Sequence, residues 1–170
     1  MKKVGIALGI LFVVFALAFY GFDRLGGNNP ILIELVDSPP PTLSGRTYKG
    51  IPLDKKMAET FQEIEALVPL NPGKKIHTIY YLEPAGKLDT LVVFVGLDLP
   101  FPVGDLESKS FLESSYLLAT IRGNKWVMPG PDTVKGELEK FAKEKNLTLT
   151  GIFIDKIISE EEVQVIAPIR

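Results

Sequence analysis

The sequence predicts an α+β fold: two βαββ modules in tandem that form an antiparallel sheet with two helices on one side and a concave groove, preceded by one transmembrane helix. Three observations lead there. Lys49-Gly50 recurs as Arg122-Gly123, and Val92–Val95 recurs at nearly the same spacing as Val163–Ile166. Each copy holds one stretch of helical periodicity between strand-like stretches. The third is an unbroken uncharged run over residues 4–22, after Met1, Lys2 and Lys3.

At ~1.5 Å per residue that run nearly matches a hydrocarbon core of roughly 30 Å, with Tyr20 placed as an interfacial anchor. Residues 1–24 are thus expected to be a single-pass anchor. Lys2, Lys3 and the terminal amine outweigh Arg24, which keeps the N-terminus cytoplasmic and the domain extracytoplasmic, in the periplasm. The alternative is a cleaved signal peptide read at Ala16-Leu17-Ala18, although the apolar run outlasts a typical h-region.

Gly26-Gly27-Asn28-Asn29-Pro30 reads as a tether over residues 25–30, and residues 31–170 as the folded domain. Ile31–Val36 is a strand, ended by Ser38-Pro39-Pro40-Pro41, because three prolines cannot join a ladder. The first module, about residues 43–97, opens with a short strand into Gly50. Leu53, Met57, Phe61, Ile64 and Val68 then share one helical face, with Asp54 as N-cap and Asn71-Pro72-Gly73 as the stop. Strands follow at 75–84 and 91–95, joined by a turn around Ala85-Gly86-Lys87.

Residues 98–114 form an exposed linker rich in proline and charge. The second module, about 115–169, repeats the order. It has a strand at 115–123, a helix from Asp132 to Lys145 with Val134, Leu138, Phe141 and Ala142 inward, then a hairpin of 149–157 and 163–169 around Glu160-Glu161-Glu162.

Composition narrows the function. With 19 basic and 21 acidic residues and no Lys/Arg stripe, nucleic acid is set aside as a partner. The absence of cysteine removes thiol nucleophiles and thiolate metal sites, and one histidine, His77, cannot build a multi-histidine site, so no metal and no cofactor is expected. No phosphate loop or nucleophile elbow is present.

The duplicated pattern resembles the gyrase-inhibitor-like domains, the effector-binding half of some AraC-type and MerR-type multidrug-sensing regulators and of the wider bacterial regulatory-factor effector-binding superfamily. The resemblance covers residues 31–170. It rests on I-Y-Y-L-E-P at 79–84, similar to the family's tyrosine-rich strand, and on an acidic strand at 152–157 before a last strand ending in Pro168-Ile169. The layout of one N-terminal span, a Pro-rich connector and this domain is similar to that of an animal autophagy receptor of the endoplasmic reticulum. The family implies a buried glutamate on the first strand of the second hairpin, with a tyrosine two residues later, for holding cationic drugs. The matching positions here carry the shorter Asp155, and Ile157 in the tyrosine's place.

From the residues themselves, Asp155 alternates with Phe153 and Ile157 on one strand face, and Ile152 with Ile154 on the other. The expectation is that Ile152 and Ile154 pack on the helices while Asp155 points into the groove opposite, where apolar neighbours raise its pKa. The bland alternative is a strand-end acid in water or a salt bridge. Tyr80 and Tyr81 must point to opposite faces. At the wider of the two spacings the repeat allows, Tyr81 is the mate of Asp155 and the tyrosine of choice for the groove. Trp126, beside Met128, either roofs the groove or plugs the sheet-helix junction, and Tyr116 is a further aromatic candidate. His77 is expected to share a face with Tyr81 and Glu83 and to have no catalytic role.

The expected protein is a membrane-anchored, non-catalytic binding module whose groove takes a small apolar or cationic ligand or a partner peptide through Asp155, Tyr81, Trp126, Phe153 and Tyr116. The alternatives are an adaptor that uses the fold as a scaffold, and a small-molecule hydrolase using the acid.

Overall fold

The structure, a computed structural model, describes residues 2–83, 86 and 89–170, with side chains from residue 9 onward. Helix α1 is Lys2–Arg24. Strands β1 (Leu32–Val36) and β2 (Leu43–Gly50) lead to α2 (Lys55–Glu65), β3 (Ile76–Leu82) and β4 (Leu91–Leu97). After β5 (Glu107–Lys109) come β6 (Ser115–Arg122), α3 (Pro131–Glu144), β7 (Ile154–Ser159) and β8 (Glu162–Ile169). The strands make one antiparallel sheet in the order β1-β6-β8-β7-β3-β4-β2-β5. The two modules are β2-α2-β3-β4 and β6-α3-β7-β8, joined through the β3–β7 pair. Ala85 and Lys87, at the expected β3–β4 turn, lie outside the described residues.

Both module helices form where the periodicity places them. The Asp54 side chain accepts from the Lys56 N–H at 3.0 Å and so satisfies an orphan donor at the start of α2. Met57, Phe61, Ile64 and Val68 face the sheet, whereas Leu53 precedes the cap and is exposed. In α3, Val134, Leu138 and Ala142 are buried and Phe141 packs beside them.

Paired residues on neighbouring strands share a face, so the registers identify the two sides of the sheet. One row runs Ile33, Ala119, Val165, Asp155, Thr78, Val95, Arg46. Val95 belongs to the core under α2 and Val165 to the core under α3, so both helices lie on this face. The next row, Leu118, Ile166, Ile154, Ile79, Phe94, builds a third core on the opposite face, with Leu43, Phe111 and Tyr116.

These rows correct two expectations. Ile152 and Ile154 pack away from the helices, and Asp155 points toward the helix side. The face expected to carry a free concave groove holds a packed apolar core instead. The linker contributes to that core: residues 98–114 are not simply exposed but bury Leu99 and Leu106, add β5 along β2, and send Phe111 onto the third core. Arg46 clamps this segment to α2 through Glu63 at 2.7 Å and Asp105 at 3.0 Å.

The N-terminal expectation is also corrected. Among the described residues no helix is long and apolar enough to cross a membrane, which overturns the single-pass anchor at 1–24 and the periplasmic placement built on it. Ala16-Leu17-Ala18, the alternative cleavage signal, lies within the unbroken helix. The segment after α1 is docked rather than free: the Asn124 N–H donates to the Leu25 carbonyl at 2.8 Å, and Asn29 Nδ2 donates to the Arg122 carbonyl at 2.9 Å.

Phe94 is fully buried at the centre of the third core. Truncation there leaves a large void, so Phe94→Ala is expected to lower unfolding free energy by about 3–5 kcal/mol in urea titrations.

Candidate functional site

The sheet's central pair, β3 and β7, lies between the areas covered by the two helices: α2 packs on β2 and β4, and α3 on β6. The helix-side residues of that pair, Thr78 and Tyr80 on β3 and Phe153 and Asp155 beside them, therefore border a gap. A cavity of about 350 Å³ occupies it, lined by Tyr80, Glu83, Pro131, Lys135, Gly151, Phe153 and Asp155.

With Lys49-Gly50 matched to Arg122-Gly123, the registers carry the equivalence across both modules. Tyr48, Val93 and Tyr80 stand across from one another in the first, as Ile121, Val163 and Ile157 do in the second. The spacing from Tyr48 to Ile121, from Val93 to Val163 and from Tyr80 to Ile157 is different each time, because the connections within the modules differ in length. It is widest on the central strands, where it makes Thr78, not Tyr81, the counterpart of Asp155. These two are also direct partners in the β3–β7 register, so the local two-fold of the repeat passes between them. One position of this central pair is a buried threonine and the other an acid.

A β-bulge on β3 completes the site. The register advances from Tyr80↔Val93 to Leu82↔Val92, leaving Tyr81 as the extra residue. A bulge resets the alternation of side chains beyond it. Glu83 therefore joins Tyr80 in the cavity instead of sharing the face of His77 and Tyr81.

Lys135 reaches in from the first turns of α3, forms an ion pair with Glu83, and places its Nζ 5.7 Å from the centre of the Phe153 ring. Burial pushes the Asp155 carboxyl up to about 6; Lys135 opposes the shift and Glu83 adds to it. Among the described residues no cation stands within 4 Å of Asp155. Burial, and then the negative charges of Asp155 and Glu83, hold the Tyr80 hydroxyl proton to higher pH than usual. The arrangement can set one carboxylate against a ligand cation beside two aromatic rings, with a second carboxylate already neutralised by lysine.

Of the side chains expected at the site, Asp155 and Phe153 line the cavity together. Tyr81 lies on the other face, half exposed, with Lys109 Nζ 5.9 Å from its ring centre. Tyr116 packs into the third core. Trp126 is 82% exposed in the loop before α3, its indole beside Lys125, and Met128 rather than Trp126 turns inward. The sequence favours Tyr81 over Tyr80, puts Glu83 on the face of His77 and Tyr81, and gives Lys135 no role. The bulge that redirects Glu83 leaves no local sequence signal, while Lys135, one residue after Val134 on the helix, could have been placed at the rim of the apolar face. His77 is fully buried, and its Nδ1–H donates to the Lys75 carbonyl at 2.9 Å. Burial lowers its pKa, and Nε2 has no partner among the described residues.

Comparison with solved structures places this fold among known ones. An uncharacterized conserved protein from Listeria innocua superposes with a TM-score of 0.59 at 10% identity, over 81% of this chain and 92% of that one. A hydrolase from the same organism gives 0.57 at 10% identity, over 81% and 91%. The EcmrR C-terminal domain gives 0.56 at 13% identity, over 82% of this chain and 98% of that one. EcmrR is also known in complex with DNA. At such identities the likeness shows the fold alone: an antiparallel α+β sheet that these proteins share with this chain. No family model matches the chain, and no curated protein does.

Because burial raises the folded-state pKa of Asp155 above its unfolded value, the folded chain keeps this proton to higher pH than the unfolded chain. The stability that the protonated form retains is fully present below about pH 4 and is lost as pH rises through about 6. Asp155→Asn is therefore expected to be more stable than the parent at pH 7, by on the order of 2 kcal/mol, with the difference vanishing near pH 4. Urea unfolding at a series of pH values checks it.

Proposed function

We propose that this domain is a non-catalytic binding module for a small apolar molecule bearing a positive charge, with Asp155 as its counter-ion. The observation that carries the reading is a partly buried carboxylate, without a cation within 4 Å among the described residues, on the wall of an open cavity beside Phe153 and Tyr80. Aromatic faces and a desolvated carboxylate together attract an organic cation, and a cavity of about 350 Å³ falls in the usual range for small-molecule sites. The acidic strand at 152–157 ahead of the last strand, which resembles the arrangement in effector-binding domains of multidrug-sensing regulators, supports the same role.

An adaptor role would leave this gap filled by side chains and the linker free to make contacts. Instead the cavity is open, and Leu99, Leu106 and Phe111 anchor much of the linker to the cores. A hydrolytic role draws on a different pairing, since the Asp155 carboxyl and the Tyr80 hydroxyl share one cavity. It is tested by the same variant.

Isothermal titration of the full chain with benzyltrimethylammonium is expected to show binding at pH 7.5 that weakens at least tenfold at pH 5, where Asp155 is mostly protonated. Asp155→Asn is expected to bind weakly with no such pH dependence. Equal affinity in the parent and the variant overturns the reading. For the hydrolytic alternative, incubation of the chain with a panel of activated esters and epoxides is followed by mass spectrometry, where Asp155-dependent turnover would replace the non-catalytic assignment.

A further inference from the structure

A second cavity, about 190 Å³, adjoins the first across Asp155 and Lys135. It lies between α3 and the sheet, against Ile121, Val134, Val163 and Val165, under the loop that carries Met128. Apart from Asp155 and Lys135, every lining side chain is apolar.

The repeat explains why this space is open. With Lys49-Gly50 matched to Arg122-Gly123, the counterpart of Ile121 in the first module is Tyr48, and the counterparts of Val163 and Val165 are Val93 and Val95. Tyr48 is 6% exposed, packs in the core under α2, and donates its hydroxyl to the Ile51 carbonyl at 2.9 Å. A phenol ring thus fills the sheet-helix junction in the first module. In the second module isoleucine stands at that position, the ring is missing, and the vacant volume opens beside the Asp155 carboxylate. Native cores are close-packed, so a void of this size under α3 is an exception, and it lies where the first module places the Tyr48 ring.

Building on the proposed cation-binding role, we infer that the second cavity is an aryl subsite: the ligand is an aryl-substituted cation whose ring takes the place that Tyr48 fills in the first module. The charged group sits at Asp155 and the remaining body extends into the larger cavity toward Tyr80 and Glu83. Ile121 is then the residue that fixes ring size, and Met128, on the roof, adjusts to it, as an unbranched thioether can.

The test uses the full chain and three probes: benzyltrimethylammonium, tetramethylammonium and neutral benzyl alcohol. In the parent, benzyltrimethylammonium is expected to bind at least tenfold tighter than tetramethylammonium. Ile121→Phe, which supplies the missing ring, erases that advantage and leaves tetramethylammonium affinity within twofold. Met128→Ala widens the roof and shifts preference toward a naphthylmethyl analogue, which keeps the inference testable should Ile121→Phe fold poorly. Benzyl alcohol reports on the ring subsite without the charge. It is expected to shift the methyl resonance of Met128, one of three methionines, in the parent and in Asp155→Asn, and not in Ile121→Phe. Equal affinity for the two cations in the parent, or a Met128 methyl unmoved by benzyl alcohol, overturns the aryl subsite. Binding of benzyl alcohol with no binding of either cation overturns the counter-ion role of Asp155 and leaves the ring subsite standing.

Discussion

Two helices cannot cover eight strands, and the position of the site depends on that shortfall. A helix with its side chains is about 10 Å across and strands lie about 4.8 Å apart, so each helix shields roughly two strands. α2 takes β2 and β4, α3 takes the β6 side, and the junction strands β3 and β7 are left between them. Side chains on the helix face of those strands must either fill the gap or line it. Duplication puts one local two-fold through this gap, and the pair it relates, Thr78 and Asp155, is where the modules have diverged in charge.

The electrostatics follow from this placement. Asp155 is partly desolvated because the helices and Phe153 crowd the gap, and it stays reachable because the cavity beside it is open. Lys135 neutralises Glu83 and moderates the Asp155 shift without pairing closely with it. The opposite face is closed by a continuous apolar row, Leu118 to Phe94, reinforced by Phe111 from the linker. That packing fixes the β3–β7 register, since a one-residue slip would bury Asp155 in the third core and expose Ile154.

Much of this was legible in the sequence. The order of elements, the Asp54 cap and the inward residues of both module helices follow from caps and helical periodicity, which are local signals. Asp155 and Phe153 were legible as one strand face because alternation is also local. Which side that face looks toward was not, because Ile152 and Ile154 are equally fit for a core under helices and for the core that the sheet shares with Phe111. Tyr81 was favoured over Tyr80 through a spacing taken from the outer strands, and the unequal loop lengths that widen it on β3 and β7 only emerge from pairing. The apolar run at the N-terminus has the composition of an anchor, yet among the described residues no helix meets the length and apolarity that crossing requires.

Cation binding in the gap between the modules requires one carboxyl group that is both desolvated and unpaired. The most direct measurement is a carbon-13 NMR titration of the Asp155 carboxyl in the full chain, free and with benzyltrimethylammonium. The expected midpoint is about pH 6 in the free protein, moving down when the cation is bound. A midpoint near 4, unmoved by the cation, would contradict the assignment of Asp155 as the charged anchor of the site.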